Sequence, residues 1–135
     1  MDDLHYEPPL PSKLSADGFT QGIRLLDKNG KTLAFCRWHA RPGDADGVIQ
    51  LLELNVVLDR TRQGIGGMLF DALVRQGRAY FAKRKSRLRR VWVMLDQKTQ
   101  INARAFANDH GFHHVASVPN LLTKQEGLIY TLGLD

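Results

Sequence analysis

Between Leu54 and Leu69 the chain reads Leu-Asn-Val-Val-Leu-Asp-Arg-Thr-Arg-Gln-Gly-Ile-Gly-Gly-Met-Leu. Gly64, Gly66 and Gly67 carry no side chain, so a ligand can come close to the main chain there. The apolar spacing that follows, through Ile65, Met68, Leu69, Ala72, Leu73 and Tyr80, predicts a helix from Gly64 onward. The first turn of a helix holds N–H groups without intrahelical partners. The macrodipole adds roughly half a positive charge at that end. Arg60 and Arg62 add full charges. This is an anion site, in outline one for a diphosphate. The competing reading is a glycine turn that lets helix and strand pack closely. The Gly-Lys-Ser/Thr ending of a nucleotide-hydrolase loop is absent. So is the G-x-G-x-x-G of a dinucleotide fingerprint.

Several elements must position that turn. Residues 1–18 hold three of the five prolines (Pro8, Pro9, Pro11) and read as an extended arm with one short strand. Thr20 to Leu26 and Lys31 to Ala40 are strand-like and flank Asp27-Lys28-Asn29-Gly30, which predicts a β-hairpin. Val48 to Leu58 is the most apolar segment and reads as a central strand buried on both faces. After the helix come a strand at Val91–Leu95, a helix over Gln100–His110 stopped by Gly111, and strands at Phe112–Val118 and Gly127–Leu134. Strands alternating with helices in mid-chain imply a mixed sheet with crossover helices, in the α/β or α+β class.

The 135 residues suit one domain with its own core. With 43% hydrophobic and 24% charged residues the composition is that of a globular protein. No apolar run approaches the ~18 residues of a membrane span, and the acidic, Pro-rich start does not read as a secretory signal. The single Cys36 excludes an internal disulfide and a cysteine-based zinc site, and fits a reducing, cytoplasmic setting. Cys36 reads as a buried, inert thiol. His113 and His114 have no metal-ligand company, so no metal is expected. Net charge is +5, yet residues 60–90 alone carry a net +9 against −4 for the rest. Lys83 to Arg90 holds six basic residues in eight. It reads as a solvated helix end, a lure for an anionic ligand, or, with no aromatic platform beside it to support this, a nucleic-acid module.

Leu54-Asn55-Val56 followed by Gly64 and Gly66 resembles the pyrophosphate motif of the GNAT superfamily of acyl-CoA-dependent N-acyltransferases, Arg/Gln-x-x-Gly-x-Gly/Ala after a strand ending Leu-x-Val. Thr61 stands where that motif has Arg or Gln. A second stretch, Gln100-Ile101-Asn102-Ala103-Arg104-Ala105-Phe106-Ala107-Asn108-Asp109-His110-Gly111-Phe112, is similar to a helix of the same family, with Ala103, Phe106, Gly111 and Phe112 in register. Gln100 replaces an Asn there, and Ala107 a Tyr. The resemblance spans residues 20–134. It implies a mixed, mostly antiparallel sheet with a V-shaped splay and flanking helices, and acetyl-CoA or another short acyl-CoA as co-substrate. It also implies direct transfer of the acyl group to an amine of a small molecule or protein.

In such a site the main chain near Val56 and Val57 holds the pantetheine and polarises the thioester carbonyl. Arg62, Gln63, Gly64, Ile65, Gly66 and Gly67 bind the pyrophosphate, with Gln100 and Phe106 nearby. The family's acid, a Tyr, is Ala107 here, and a frequent base position holds Gln50. Glu53 and Asp96 are then the candidate acid–base residues. Each also reads as a solvated, paired or capping side chain. His39 and Trp38 are candidates for lining the acceptor side. The family's two helices ahead of the second strand have no counterpart in the Pro-rich arm, so a homodimer is expected to close that side. An acyl-CoA-binding regulator with little catalysis is the alternative.

Overall fold

A computed structural model describes residues 5–6, 14–15, 18–41, 46–56, 64–96, 101–122 and 125–134. The elements in chain order are β1 (His5–Tyr6), β2 (Leu14–Ser15), β3 (Gly18–Leu26), β4 (Thr32–Ala40), β5 (Val48–Val56), α1 (Ile65–Ala82), β6 (Arg90–Asp96), α2 (Ile101–Asp109), β7 (His113–Leu122) and β8 (Gln125–Gly133). The strands make one sheet in the order β1-β3-β4-β5-β6-β8-β7, with β2 also on β3. Only β5 and β6 run parallel, joined through α1, and every other described pairing is antiparallel. The mixed, mostly antiparallel α+β class expected from the sequence is what the chain adopts. The arm differs slightly: two two-residue strands stand where one was expected.

Local chemistry explains the elements. At the β3–β4 turn the Asp27 carboxylate accepts from the main-chain N–H of Asn29 at 2.8 Å and of Lys31 at 2.9 Å. Gly30 takes φ +82°, which glycine adopts without strain. Helix α2 stops at Gly111, φ +84°, and the Phe112 N–H folds back to the Ala107 carbonyl at 2.9 Å. Helix α1 buries Ile65, Leu69, Leu73, Tyr80 and Phe81. They meet one face of the sheet, made by Ala34, Cys36 and Trp38 of β4, Ile49 and Leu51 of β5, and Val91 and Val93 of β6. Each fully buried aliphatic or aromatic side chain contributes about 1.5–3 kcal/mol. Tyr6 of β1 ties the arm to this layer by donating to the Met68 carbonyl at 2.7 Å.

The other face carries Phe35, His39, Gln50, Trp92 and Met94, all half-buried, and the exposed Glu53. Among the described residues no helix precedes α1.

The basic run folds into the turn between α1 and β6. Arg84 lies 3.6 Å over the Tyr80 ring and donates to the Tyr80 carbonyl at 3.0 Å. Arg89 Nε donates to the Asp46 carbonyl at 2.6 Å. Arg90 Nη1 donates to Thr131 Oγ1 at 2.9 Å. These three basic side chains thus serve the fold.

Candidate functional site

The parallel ladder between β5 and β6 starts at Val48–Arg90 and ends at Leu51–Val93. Both strands continue beyond it, to Val56 and Asp96. At the same level β5 carries a bulge against β4: Trp38 opposes Leu51, Arg37 opposes Glu53, and Leu52 has no opposite residue. A bulge bends its strand and increases its twist. The buried positions of β5 change phase there, from Ile49 and Leu51 to Leu54 and Val56, and Leu52 is left 39% exposed. β5 therefore leaves β6 in its second half, and α2 packs against β5 on the helix side.

Past β5 the chain enters α1 through Gly64, which takes φ +76° at the N-cap and offers no side-chain cap. A Cβ placed on Gly64 would meet no atom within 4 Å. The N–H groups of Ile65, Gly66 and Gly67 thus begin the helix without a capping side chain from Gly64. No acidic residue occupies the first turn.

The other two glycines serve packing as well. A Cβ on Gly66 would lie 3.5 Å from His110 Nε2 and from Phe106 Cδ2, and one on Gly67 would lie 3.9 Å from His110 Cε1. Their bare faces turn toward α2. Of the three glycines, Gly64 is the one whose side-chain direction opens outward.

Phe106 is 4% exposed, in an aromatic cluster with Phe70, His110 and Phe112. His110 stacks on Phe70, with ring centroids 4.8 Å apart and planes at 14°. Burial lowers its pKa, and the charges of Asp109 and Asp71 oppose that shift. The structure thus holds a half-buried imidazole at the C-terminal end of α2, with its neutral form favoured. Ala107, in place of the family's Tyr, is fully buried.

The two candidate carboxylates stand on opposite sides of the gap. Glu53, on β5, is ion-paired with Arg37 at 2.8 Å, both side chains about half exposed (51% and 45%). Asp96 is the last residue of β6, half-buried and opposite Gly127. Trp38 does not line the open face: it is 1% exposed, under α1, and its Nε1 donates to Gln76 Oε1 at 3.1 Å. His39, its neighbour in β4, points to the other face, where its Nδ1 shares a hydrogen bond of 3.0 Å with Thr20 Oγ1. Val57, Arg62, Gln63 and Gln100 lie outside the described residues.

The Leu52 bulge and the Thr20–His39 pair were not anticipated from the sequence. The hairpin register around Asn29-Gly30 could have located the second. A groove of about 420 Å³ lined by Phe70, Asp71, Val74, Arg75, Arg78 and Leu134 runs along the flank of α1 and holds none of the predicted site residues.

No family model and no curated protein matches the sequence. Solved structures do. A protein of Desulfovibrio desulfuricans assigned to the GNAT family of acetyltransferases superposes with a TM-score of 0.65 at 16% identity, over 86% of this chain and 69% of its own. The ribosomal-protein-S18-alanine N-acetyltransferase of Escherichia coli gives 0.61 at 22% identity, over 86% and 70%. The IAA acetyltransferase of Bacillus cereus gives 0.67 at 12% identity, over 97% and 99%. Parted parallel strands, a glycine-opened helix start and these superpositions agree: the chain has the fold of the GNAT acetyltransferases.

Proposed function

We propose that this protein is an N-acyltransferase that moves an acetyl group, or another short acyl group, from CoA directly to an amine. The observation that carries the reading is a coincidence of position. The β5–β6 ladder ends at Leu51 and Val93, the bulge at Leu52 turns β5 away, and the same strand leads to the uncapped start of α1. A slot between strand backbones suits a narrow pantetheine arm, and a helix start without acidic residues suits a diphosphate. The residues present therefore fit an acyl-CoA, which supplies the activated acyl carbon.

In this reading the N–H groups of Ile65, Gly66 and Gly67 hold the diphosphate, assisted by Arg62 and Gln63. The main chain at Val56 and Val57 orients the acyl carbonyl, and donors aimed at that oxygen favour attack. Gln100 is a candidate contact for the pantetheine, and Phe106 backs the first turn of α1 from α2. Asp96 and Glu53 remain candidate proton carriers, Glu53 under the restraint of Arg37. The acceptor is an amine of a small molecule or of a protein. The Escherichia coli neighbour, an acetyltransferase for an alanine of ribosomal protein S18, supports including protein N-termini.

Calorimetry with acetyl-CoA, CoA and ATP tests the cofactor. Micromolar binding of both CoA species is expected, and no heat with either sinks the reading. Gly67→Glu separates binding from folding. The added Cβ makes only ordinary contact with His110 Cε1 at 3.9 Å, and a negative charge is favourable at a helix N-terminus, so stability should stay within about 1 kcal/mol of wild type. The same charge should repel the diphosphate and weaken CoA binding about tenfold or more. Unchanged affinity would move the diphosphate elsewhere.

A cytoplasmic location and a homodimer that covers the open sheet face belong to this proposal. The half-buried Phe35, Trp92 and Met94 and the exposed Leu52 support the second. Light scattering showing only 15 kDa particles at micromolar concentration counts against the dimer. A second reading, an acyl-CoA-responsive regulator, is favoured by the Arg37–Glu53 pair and the buried Ala107. Tight acetyl-CoA binding without CoA release over a broad amine panel would select it.

A further inference from the structure

On the face turned away from both helices, the strand registers line up one row of side chains. Thr20 on β3 opposes His39 on β4, His39 opposes Gln50 on β5, Gln50 opposes Trp92 on β6, and Trp92 opposes Thr131 on β8. All five are half-buried. Opposed residues hold their Cβ atoms about 5 Å apart on one face. The row crosses β5 and β6 one residue before their ladder ends. It is therefore the rim of the gap, on the side from which an acceptor can arrive. Of these five, His39 is the side chain that can take up a proton. Gln50 beside it is an amide, and neither threonine nor tryptophan is a base. The threonine hydroxyl can accept as well as donate. When Thr20 Oγ1 accepts, the imidazole proton sits on Nδ1 and the lone pair on Nε2.

We infer that His39 is the base that deprotonates the acceptor amine, with Thr20 as the positioning residue that fixes its tautomer. The inference rests on the transferase reading above. The step balances. Nε2 takes one proton from the acceptor ammonium. The free amine nitrogen forms a bond to the acyl carbon as the carbon–sulfur bond to CoA breaks. The departing thiolate takes the second nitrogen-bound proton, and His39 returns its own to solvent.

The other candidates are placed less well. Glu53 is held by Arg37. Asp96 is at the far end of β6 and has a partner of its own. His113 lies in the same row but on β7, four strands from His39 and about 19 Å away at the usual strand spacing. The charges that face His39 are Arg37 and Arg41 from its own segment and Glu53 from β5. The opposing stretches of β3 (18–22) and β5 (48–51) carry none.

The first test needs no ligand. Long-range proton–nitrogen spectra, with the His39 signal identified by its loss in His39→Gln, should show the proton on Nδ1 in the wild type. In Thr20→Val the proton should move toward Nε2, and Thr20→Ser should behave as wild type. A wild-type proton on Nε2 overturns the inference.

The second test uses acetyl-CoA with a panel of primary amines and alanine-initiated peptides. His39→Gln should bind acetyl-CoA within twofold of wild type by calorimetry. Its turnover should fall by about 100-fold, the lower end for loss of a general base. Its kcat/KM profile should lose the limb on the acid side. Added imidazole should restore part of the turnover of His39→Ala, which a merely structural role would not allow. Turnover within threefold of wild type in His39→Gln overturns the inference and leaves the transferase reading standing. Wild-type protein that binds acetyl-CoA but acetylates no member of the panel also overturns it. Wild-type protein that binds no acetyl-CoA overturns both.

Discussion

Cys36 and His110 are both shifted by burial, in opposite directions but to the same end, since each is held in its neutral form. Cys36 has no exposed surface, and burial pushes its thiol up to about 12. It stays protonated, and the thiolate is the reactive form. Ellman's reagent at pH 8 should therefore react with the native protein at least 100-fold more slowly than with the urea-unfolded chain, a rough factor from the thiolate fraction. Rapid native labelling would show that the strand opens. For His110 the folded pKa lies below the ordinary 6.5, first through burial against Phe70 and Phe106. The unfolded chain then binds the proton first, so stability is full above that value and is lost as pH falls below it. The wild type should lose urea resistance from pH 7 to 5 more steeply than His110→Leu; parallel losses would remove His110 as the cause. The inert thiol was legible in the sequence, from the apolar residues around it. The setting of His110 was not, because its stacking partner Phe70 comes from another helix. Glu53 was legible as a carboxylate near the gap, but not as the partner of Arg37, because the Leu52 bulge sets which residue of β5 faces Arg37.

Gly47 shows what one position does for a whole element. It has φ +74°, and a Cβ there would sit 1.9 Å from the Arg87 carbonyl oxygen. Its own carbonyl accepts from the N–H of Arg89 at 2.8 Å and of Arg90 at 3.2 Å. The loop carrying the basic run is docked on this point. Gly47→Ala should cost about 3 kcal/mol, combining backbone strain with overpacking. Gly30→Ala, with φ +82° but open space around it, should cost only about 1 kcal/mol. Urea midpoints at unchanged slope check both, and equal losses would mean that strain alone acts at Gly47. Most elements were legible because their periods are local: the alternation of the hairpin, the helical spacing of α1, the glycine stop of α2. The bulge was not, because a run as apolar as Val48 to Leu54 hides a change of phase. The basic run was only half legible. Its arginines bind carbonyls and a ring in neighbouring elements, contacts that no charge count displays.

At the scale of the whole molecule, the described residues form two layers, with both of their helices on one side of the sheet. An open opposite side was expected because the Pro-rich arm supplies no counterpart to the family's two early helices; that both helices share one side was not read from the sequence. Leu52 then acquires a wider meaning. Remove it, and Leu51 is followed by Glu53 with every remaining residue of β5 still facing its present side. The β4–β5 ladder becomes regular, and β5 has no reason to leave β6. The single-residue deletion should yield a protein that folds at least as stably as the wild type, with amide exchange slowed along residues 53–56 as the ladder extends. It should no longer bind acetyl-CoA. A variant that keeps binding would show that the bend does not depend on Leu52. If the slot closes as expected, the irregularity in the strand is a stability deficit retained for function, and a more regular protein would be a less useful one.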